Sequence, residues 1–235
     1  MADKHTSSQF DSDLHRIVSK VLEMGGLVES QLIHAMEALI RFDLPLANKV
    51  IAEERRLNAM EVEIDADCGN VIARRQPTAS DLRLLMASSK AVTNLERAGD
   101  EARKIAKRTR RIAGDEAGKL INTAGIELSG RMAAAILHQS LDAFARLDIA
   151  GAAQIVREDE AIDEQYRSFV RKLAAFMAEN PRVISSALDY LSIASAIERI
   201  GDHATNLAEL VIYVARGTDV RHLPKEQFER EALGN

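Results

Sequence analysis

Residues 14–39 read LHRIVSKVLEMGGLVESQLIHAMEAL. One apolar stripe runs through them: Leu14, Val18, Val21, Gly25, Val28, Leu32, Ala35 and Leu39. Its steps alternate between four and three residues, which is the seam of a helix packed at a shallow angle in a bundle. The stripe stops at Asp43-Leu44-Pro45. Proline fits the first turn of a helix and not its interior, so a second helix is predicted to open at Pro45 with Asp43 as its cap. That helix carries Val50, Glu54, Leu57, Glu61, Ile64, Cys68 and Val71 on one stripe, so two carboxylates lie in an otherwise apolar seam. The run Gln76-Pro77-Thr78-Ala79-Ser80 breaks the pattern, and Ser80 is the expected N-cap of a third helix ending near Ile112. Its seam reads Leu84, Ser88, Ala91, Leu95, Ala98, Ala102, Ile105 and Thr109.

The pattern then repeats. An offset of 105 residues carries Val21, Gly25, Val28 and Leu32 onto Ile126, Gly130, Ala133 and Leu137, and carries Asp43, Glu54 and Leu57 onto Asp148, Asp159 and Ile162. An offset of 102 lays Leu95-Glu96-Arg97-Ala98-Gly99-Asp100 over Ile197-Glu198-Arg199-Ile200-Gly201-Asp202. A shorter connection at Glu179-Asn180-Pro181 accounts for the change of offset. The expected fold is all-α: two tandem three-helix bundles related by internal duplication, with six long helices of about 25 to 35 residues, or roughly 40 to 50 Å each. The expected organisation is a polar N-terminal tail at 1–13, a first bundle at 14–112, a link at Ala113–Gly118, a second bundle at 119–216 and a C-terminal tail at 217–235.

Composition agrees with helices. With 46% hydrophobic and 29% charged residues but only 12 Gly and 4 Pro in 235, the chain lacks the turn chemistry of a β-sandwich. The longest aliphatic stretches, Met132–Leu137 and Leu210–Ala215, fall far short of the roughly 18 residues of a membrane span. The polar start does not read as a signal peptide, and a single cysteine, Cys68, gives no reason to expect an oxidising compartment, so the expected location is cytoplasmic. A net charge of −5 argues against a general nucleic-acid binder.

The residues with chemical potential are carboxylates four apart, which share one helix face. They are Glu96 with Asp100, Asp159 with Asp163, and Glu198 with Asp202; Glu54 has Asn58 at the corresponding place. Glu54 and Asp159 fall in the apolar stripe itself. An ionised carboxylate buried without a partner costs several kcal/mol, and no equal number of Lys or Arg faces the same seam. A cation liganded by oxygens would neutralise the acids, and four carboxylates suit Mg, Mn, Ca or Fe better than Zn or Cu. Asn58 predicts a weaker first site. The acids of the third and sixth helices bracket Gly99 and Gly201 at equivalent places, and a mid-helix glycine costs about 1 kcal/mol against alanine, so close approach is expected there. His203 follows Asp202, and Arg103, Lys104, Lys107, Arg108, Arg110 and Arg111 make the end of the third helix basic, where they complement its dipole and offer a face to a partner. No Gly-rich phosphate loop, GxSxG, HExxH or Glu-x-x-His occurs, so no catalytic machinery is expected.

Tandem units carrying Leu95-Glu-Arg-Ala-Gly-Asp-Glu-Ala and Ile197-Glu-Arg-Ile-Gly-Asp-His-Ala, with Asp159-Glu-Ala-Ile-Asp on the preceding helix, resemble the PhoU family of bacterial phosphate-signalling regulators. The resemblance covers Leu14 to Gly217. It implies a cytoplasmic, dimeric, non-enzymatic negative regulator of the phosphate-starvation response, acting between a sensor histidine kinase and the ATPase subunit of the phosphate ABC transporter. It also implies divalent or ferric metal (Fe, Mn, Mg or Zn) at Glu96, Asp100, Asp159, Asp163, Glu198 and Asp202, with Glu54 and Asn58 at the divergent position. Two alternatives stay open from the residues alone: a dimetal carboxylate oxidoreductase, and a metal-free helical adaptor.

Overall fold

Helix α1 (Ser8–Arg41) buries Leu14, Val21, Val28, Leu32, Ala35 and Leu39 as its heptad stripe requires, but also Ile17, Met24 and Ala38. The apolar face is wider than a single seam because α1 packs both on α4 (Ala79–Ile112) of its own repeat and on α5 (Ala124–Arg146) of the other. These helices belong to a computed structural model that describes residues 8–221, 223 and 225–233.

Both repeats turn the first corner in the same way. Phe42 and Leu147 adopt left-handed backbone conformations, with φ of 51° and 52°. The next residue caps the following helix: Asp43 accepts from the Leu46 N–H at 2.9 Å, and Asp148 accepts from the Gly151 N–H at 3.0 Å. The second helix then differs between the copies. In the first it splits into α2 (Leu44–Ala52) and α3 (Glu54–Arg75), with the Glu53 N–H shared between the carbonyls of Lys49 and Val50. In the second, α6 (Ile149–Glu179) runs unbroken. The six long helices expected are present, with the short α2 set off ahead of the long second helix in the first repeat. The break falls beside Glu54, whose carboxylate is held by Arg103 of α4, so a tertiary ion pair, and no local Gly or Pro, marks the place.

Helix α4 (Ala79–Ile112) is preceded by Thr78, not Ser80, and no side chain caps it; Ala79 takes φ 43°, a left-handed conformation that costs roughly 1–2 kcal/mol. In the second repeat a 3-10 turn, Pro181–Val183, stands in for the first turn of α4 before α7 (Ile184–Arg216) begins. The supposed tails are also structured in part. Helix α1 reaches back to Ser8, and Asp13 is buried between Arg16 and Arg75, each 3.2 Å away. Helix α8 (Lys225–Leu233) lies on α6 with Phe228 and Ala232 buried. Residues 1–7, 222, 224, 234 and 235 of those tails lie outside the described residues.

The repeats meet through their equivalent helices, α4 against α7 and α1 against α5 (Ala124–Arg146), and share one continuous core. Where α1 crosses α5, a Cβ on Gly25 would sit 2.2 Å from Leu141, and a Cβ on Gly130 would sit 2.6 Å from Met36. Each glycine is a notch for a side chain from the other repeat, and Leu141 is the 105-residue counterpart of Met36. Helix propensity alone says that alanine at either site should stabilise by about 1 kcal/mol. We expect Gly25→Ala instead to destabilise by about 1–3 kcal/mol in denaturant titration, because branched Leu141 is buried and has little room to shift. Gly130→Ala should cost less, since unbranched Met36 can re-thread.

Candidate functional site

In the second repeat, α6 presents Asp159 and Asp163 to Glu198 and Asp202 on α7. Asp159 comes so close to α7 that a Cβ on Gly201 would lie 2.5 Å from its Oδ1. The glycine is there to admit the carboxylate. That Oδ1 is buried and has no hydrogen-bond partner, and the same is true of the Thr205 hydroxyl one turn beyond Gly201. Burial, followed by the charges of Asp202, Asp163 and Glu198, pushes the Asp159 carboxyl up to about 6; Thr205 favours the ionised form without reaching hydrogen-bond geometry. Glu198 is raised by burial and then by Asp202 and Asp163, and Asp202 by burial and then by Asp163. Arg199 relieves both only in part, being also bound to Glu101 at 3.2 Å. Asp163 keeps a surface pair with Arg167 at 3.3 Å.

The first repeat solves the same problem internally. Glu54 occupies the place of Asp159, and Arg103, the counterpart of Thr205 at an offset of 102, holds it. The same guanidinium bonds Asp100 at 2.9 Å. Asn58 is exposed. The expectation was that no equal number of Lys or Arg faces the seam; in the first repeat one basic residue, Arg103, does face it and pairs with two of its acids. Gly99 admits Leu57 at 2.1 Å from a would-be Cβ, and no carboxylate. Glu96 is raised by burial and then by Asp100 and Glu61, with Arg97 and Arg103 pulling the other way; Glu61 is raised by burial and then by Asp65. In the sequence Arg103 reads as one member of a basic helix end, yet the offset that overlays the paired motifs also lays neutral Thr205 over it.

Three more residues of that basic end are likewise engaged. Arg108 and Arg111 bond Asp189 of α7 at 2.8 and 3.3 Å, and Lys104 bonds Glu101 at 3.0 Å. Lys107 and Arg110 remain exposed. His203 does not turn to the acids: its Nδ1 lies 3.1 Å from the Asn94 side-chain oxygen across the α4–α7 seam, an oxygen that also accepts from Asn206 at 3.0 Å. Burial there holds the imidazole down at about 4, so it is neutral at physiological pH.

The donor set between α6 and α7 is all hard oxygen and includes one orphaned buried atom, which fits an oxygen-liganded cation. Among the described residues no three His, Cys, Asp or Glu side chains already converge closely enough to enclose an ion; the acids line a seam. No described helix is long and apolar enough to cross a membrane.

Comparison with known proteins follows the duplication. The PhoU domain matches twice, at residues 21–109 and 126–211, with starts 105 and ends 102 residues apart. The chain belongs to the PhoU family. It is 52% identical over 236 residues to a "phosphate-specific transport system accessory protein PhoU homolog" from a Burkholderia species, covering 99% of this chain and 100% of that one. It is 42% identical over 232 residues to the protein of the corresponding name from Escherichia coli, covering 99% of this chain and 95% of the relative. Among solved structures, PhoU from Pseudomonas aeruginosa superposes with a TM-score of 0.86 at 42% identity, covering 89% of this chain and 100% of that one. A phosphate transport system regulatory protein PhoU from Streptococcus pneumoniae superposes with a TM-score of 0.84 at 27% identity, covering 90% and 99%.

Proposed function

We propose that this chain is a cytoplasmic accessory regulator of phosphate uptake that represses the phosphate-starvation response when phosphate is plentiful. It acts without catalysis of its own, as a homodimeric adaptor between a sensor histidine kinase and the ATPase subunit of the phosphate ABC transporter. The observation that carries this reading is nearly full-length similarity to proteins named as accessory proteins of the phosphate-specific transport system. The fold supports it: elongated helical faces without nucleophile, cofactor loop or nucleic-acid reading element are suited to binding other proteins.

A metal ion belongs to the same reading. Asp159, Asp163, Glu198 and Asp202 would hold it, with the orphaned Asp159 oxygen as the strongest claim on a ligand. The ion would supply positive charge in a seam whose acids are relieved only by Arg199, itself shared with Glu101, and by Arg167 on the surface beside Asp163, and so would draw α6 and α7 together. Pull-down of the tagged full chain from cells grown with and without phosphate tests the adaptor role. Recovery of the kinase and the transporter ATPase, in amounts that change with phosphate, is expected; recovery of neither under both conditions would contradict it.

A further inference from the structure

We propose that Arg103 is a built-in cation that fills, in the first repeat, the place a metal ion takes in the second, so that the chain has one metal-binding seam and not two. The part concerning the second seam rests on the metal reading above; the part concerning Arg103 stands on its own contacts.

The comparison is internal to the molecule. Glu54 and Asp159 are equivalent residues on the second helix of each repeat, Asp100 and Asp202 on the third, and Arg103 and Thr205 one turn further along. In the first repeat the guanidinium contacts both Glu54 and Asp100 and is only 21% exposed. A planar guanidinium carries a permanent charge and bridges two carboxylates with separate N–H groups, which is the role a hard cation would otherwise perform. In the second repeat the residue at that place is neutral and does not reach hydrogen-bond geometry with its acid: Thr205 Oγ1 and Asp159 Oδ1 are both buried without a hydrogen-bond partner. The other changes agree in direction. Asn58 removes one acid from the first seam, where Asp163 keeps it in the second, and Gly99 is filled by Leu57 where Gly201 is filled by a carboxylate. Charge added and charge removed in the first repeat both lessen its need for an ion.

The experiment uses the full-length chain, Mn2+ alone as the probe, and two readouts: equilibrium dialysis, and melting temperature with and without Mn2+. In an Asp159→Ala background, which disables the second seam, no bound Mn2+ is expected. Adding Arg103→Thr and Asn58→Asp to that background should lower the melting temperature of the metal-free protein, create Mn2+ binding and restore melting when Mn2+ is present. Arg103→Lys, which keeps the charge, should bind none. The reciprocal graft, Thr205→Arg in the wild type, should raise the melting temperature of the metal-free protein at pH 7.5 and abolish Mn2+ binding.

Mn2+ binding in the Asp159→Ala protein that disappears on Glu54→Gln would overturn the proposal, because an ion would then share the first seam with Arg103. It would also be overturned if the Arg103→Thr/Asn58→Asp variant folded and bound no Mn2+, or if Thr205→Arg left the metal-free protein's melting temperature unchanged. Failure of the wild type to bind Mn2+, together with a gain in the Arg103→Thr variant, would refute the second-seam reading while upholding the role of Arg103. Should Arg103→Thr not fold, the Thr205→Arg graft decides, since it adds a pairing and removes none.

Discussion

Asp159→Asn is expected to raise the melting temperature of the metal-free protein at pH 7.5 and to abolish its stabilisation by Mn2+. Asparagine removes a charge that burial and three neighbouring acids disfavour, and keeps the shape that fits against Gly201. The folded carboxyl titrates near 6 against an ordinary 3.8. The folded protein therefore holds its proton more tightly than the unfolded chain does, and ionisation works against folding. That penalty is full above pH 6 and gone below 3.8. Allowing for partial solvent access, about 1–2 kcal/mol is relieved, or a few degrees for a chain of this size. Wild type and variant should converge as the pH is lowered to about 4. Differential scanning calorimetry across this range, after chelation, measures the effect. A variant that melts below wild type at pH 7.5 would mean that Asp159 is paired by something other than an ion.

Arg108→Glu should destabilise the whole molecule. Asp189 is 5% exposed and held across the α4–α7 seam by Arg108 and Arg111. Removing Arg108 leaves the buried carboxylate with only the longer contact to exposed Arg111; because Arg108 is about one-third exposed, we expect about 2 kcal/mol for Arg108→Ala. Reversal to glutamate adds repulsion and should cost more. Lys107→Glu and Arg110→Glu, on the same helix end but exposed, should leave the denaturation midpoint within about 0.5 kcal/mol of wild type. Charge reversals meant to map a partner surface should therefore use Lys107 and Arg110, because loss of function at Arg108 would report unfolding.

The helices could be read from sequence because their signals are local. A 4,3 apolar alternation, the Asp43 and Asp148 caps and the paired glycines each depend on a few neighbouring residues, and the duplication supplied every signal twice. The split at Glu53 could not be read, since neither Gly nor Pro marks it and its visible correlate, the Glu54–Arg103 pair, joins residues far apart in sequence. The acids can be picked out in the sequence, and the 105 and 102 offsets lay Glu54 over Asp159 and Asp100 over Asp202. Their charge balance was not legible, because Arg103 looked like one more basic residue at a helix C-terminus until α4 was seen packed on α3. Arg108 and Arg111 were opaque for the same reason: Asp189 sits on the other repeat.

The role proposed for this chain is tested most directly by a phosphate-starvation promoter reporter in a strain deleted for its gene, carrying no second family member and grown in abundant phosphate. The account predicts high reporter activity, returned to the repressed level by the wild-type gene in trans. Normal repression in the deletion strain would contradict it.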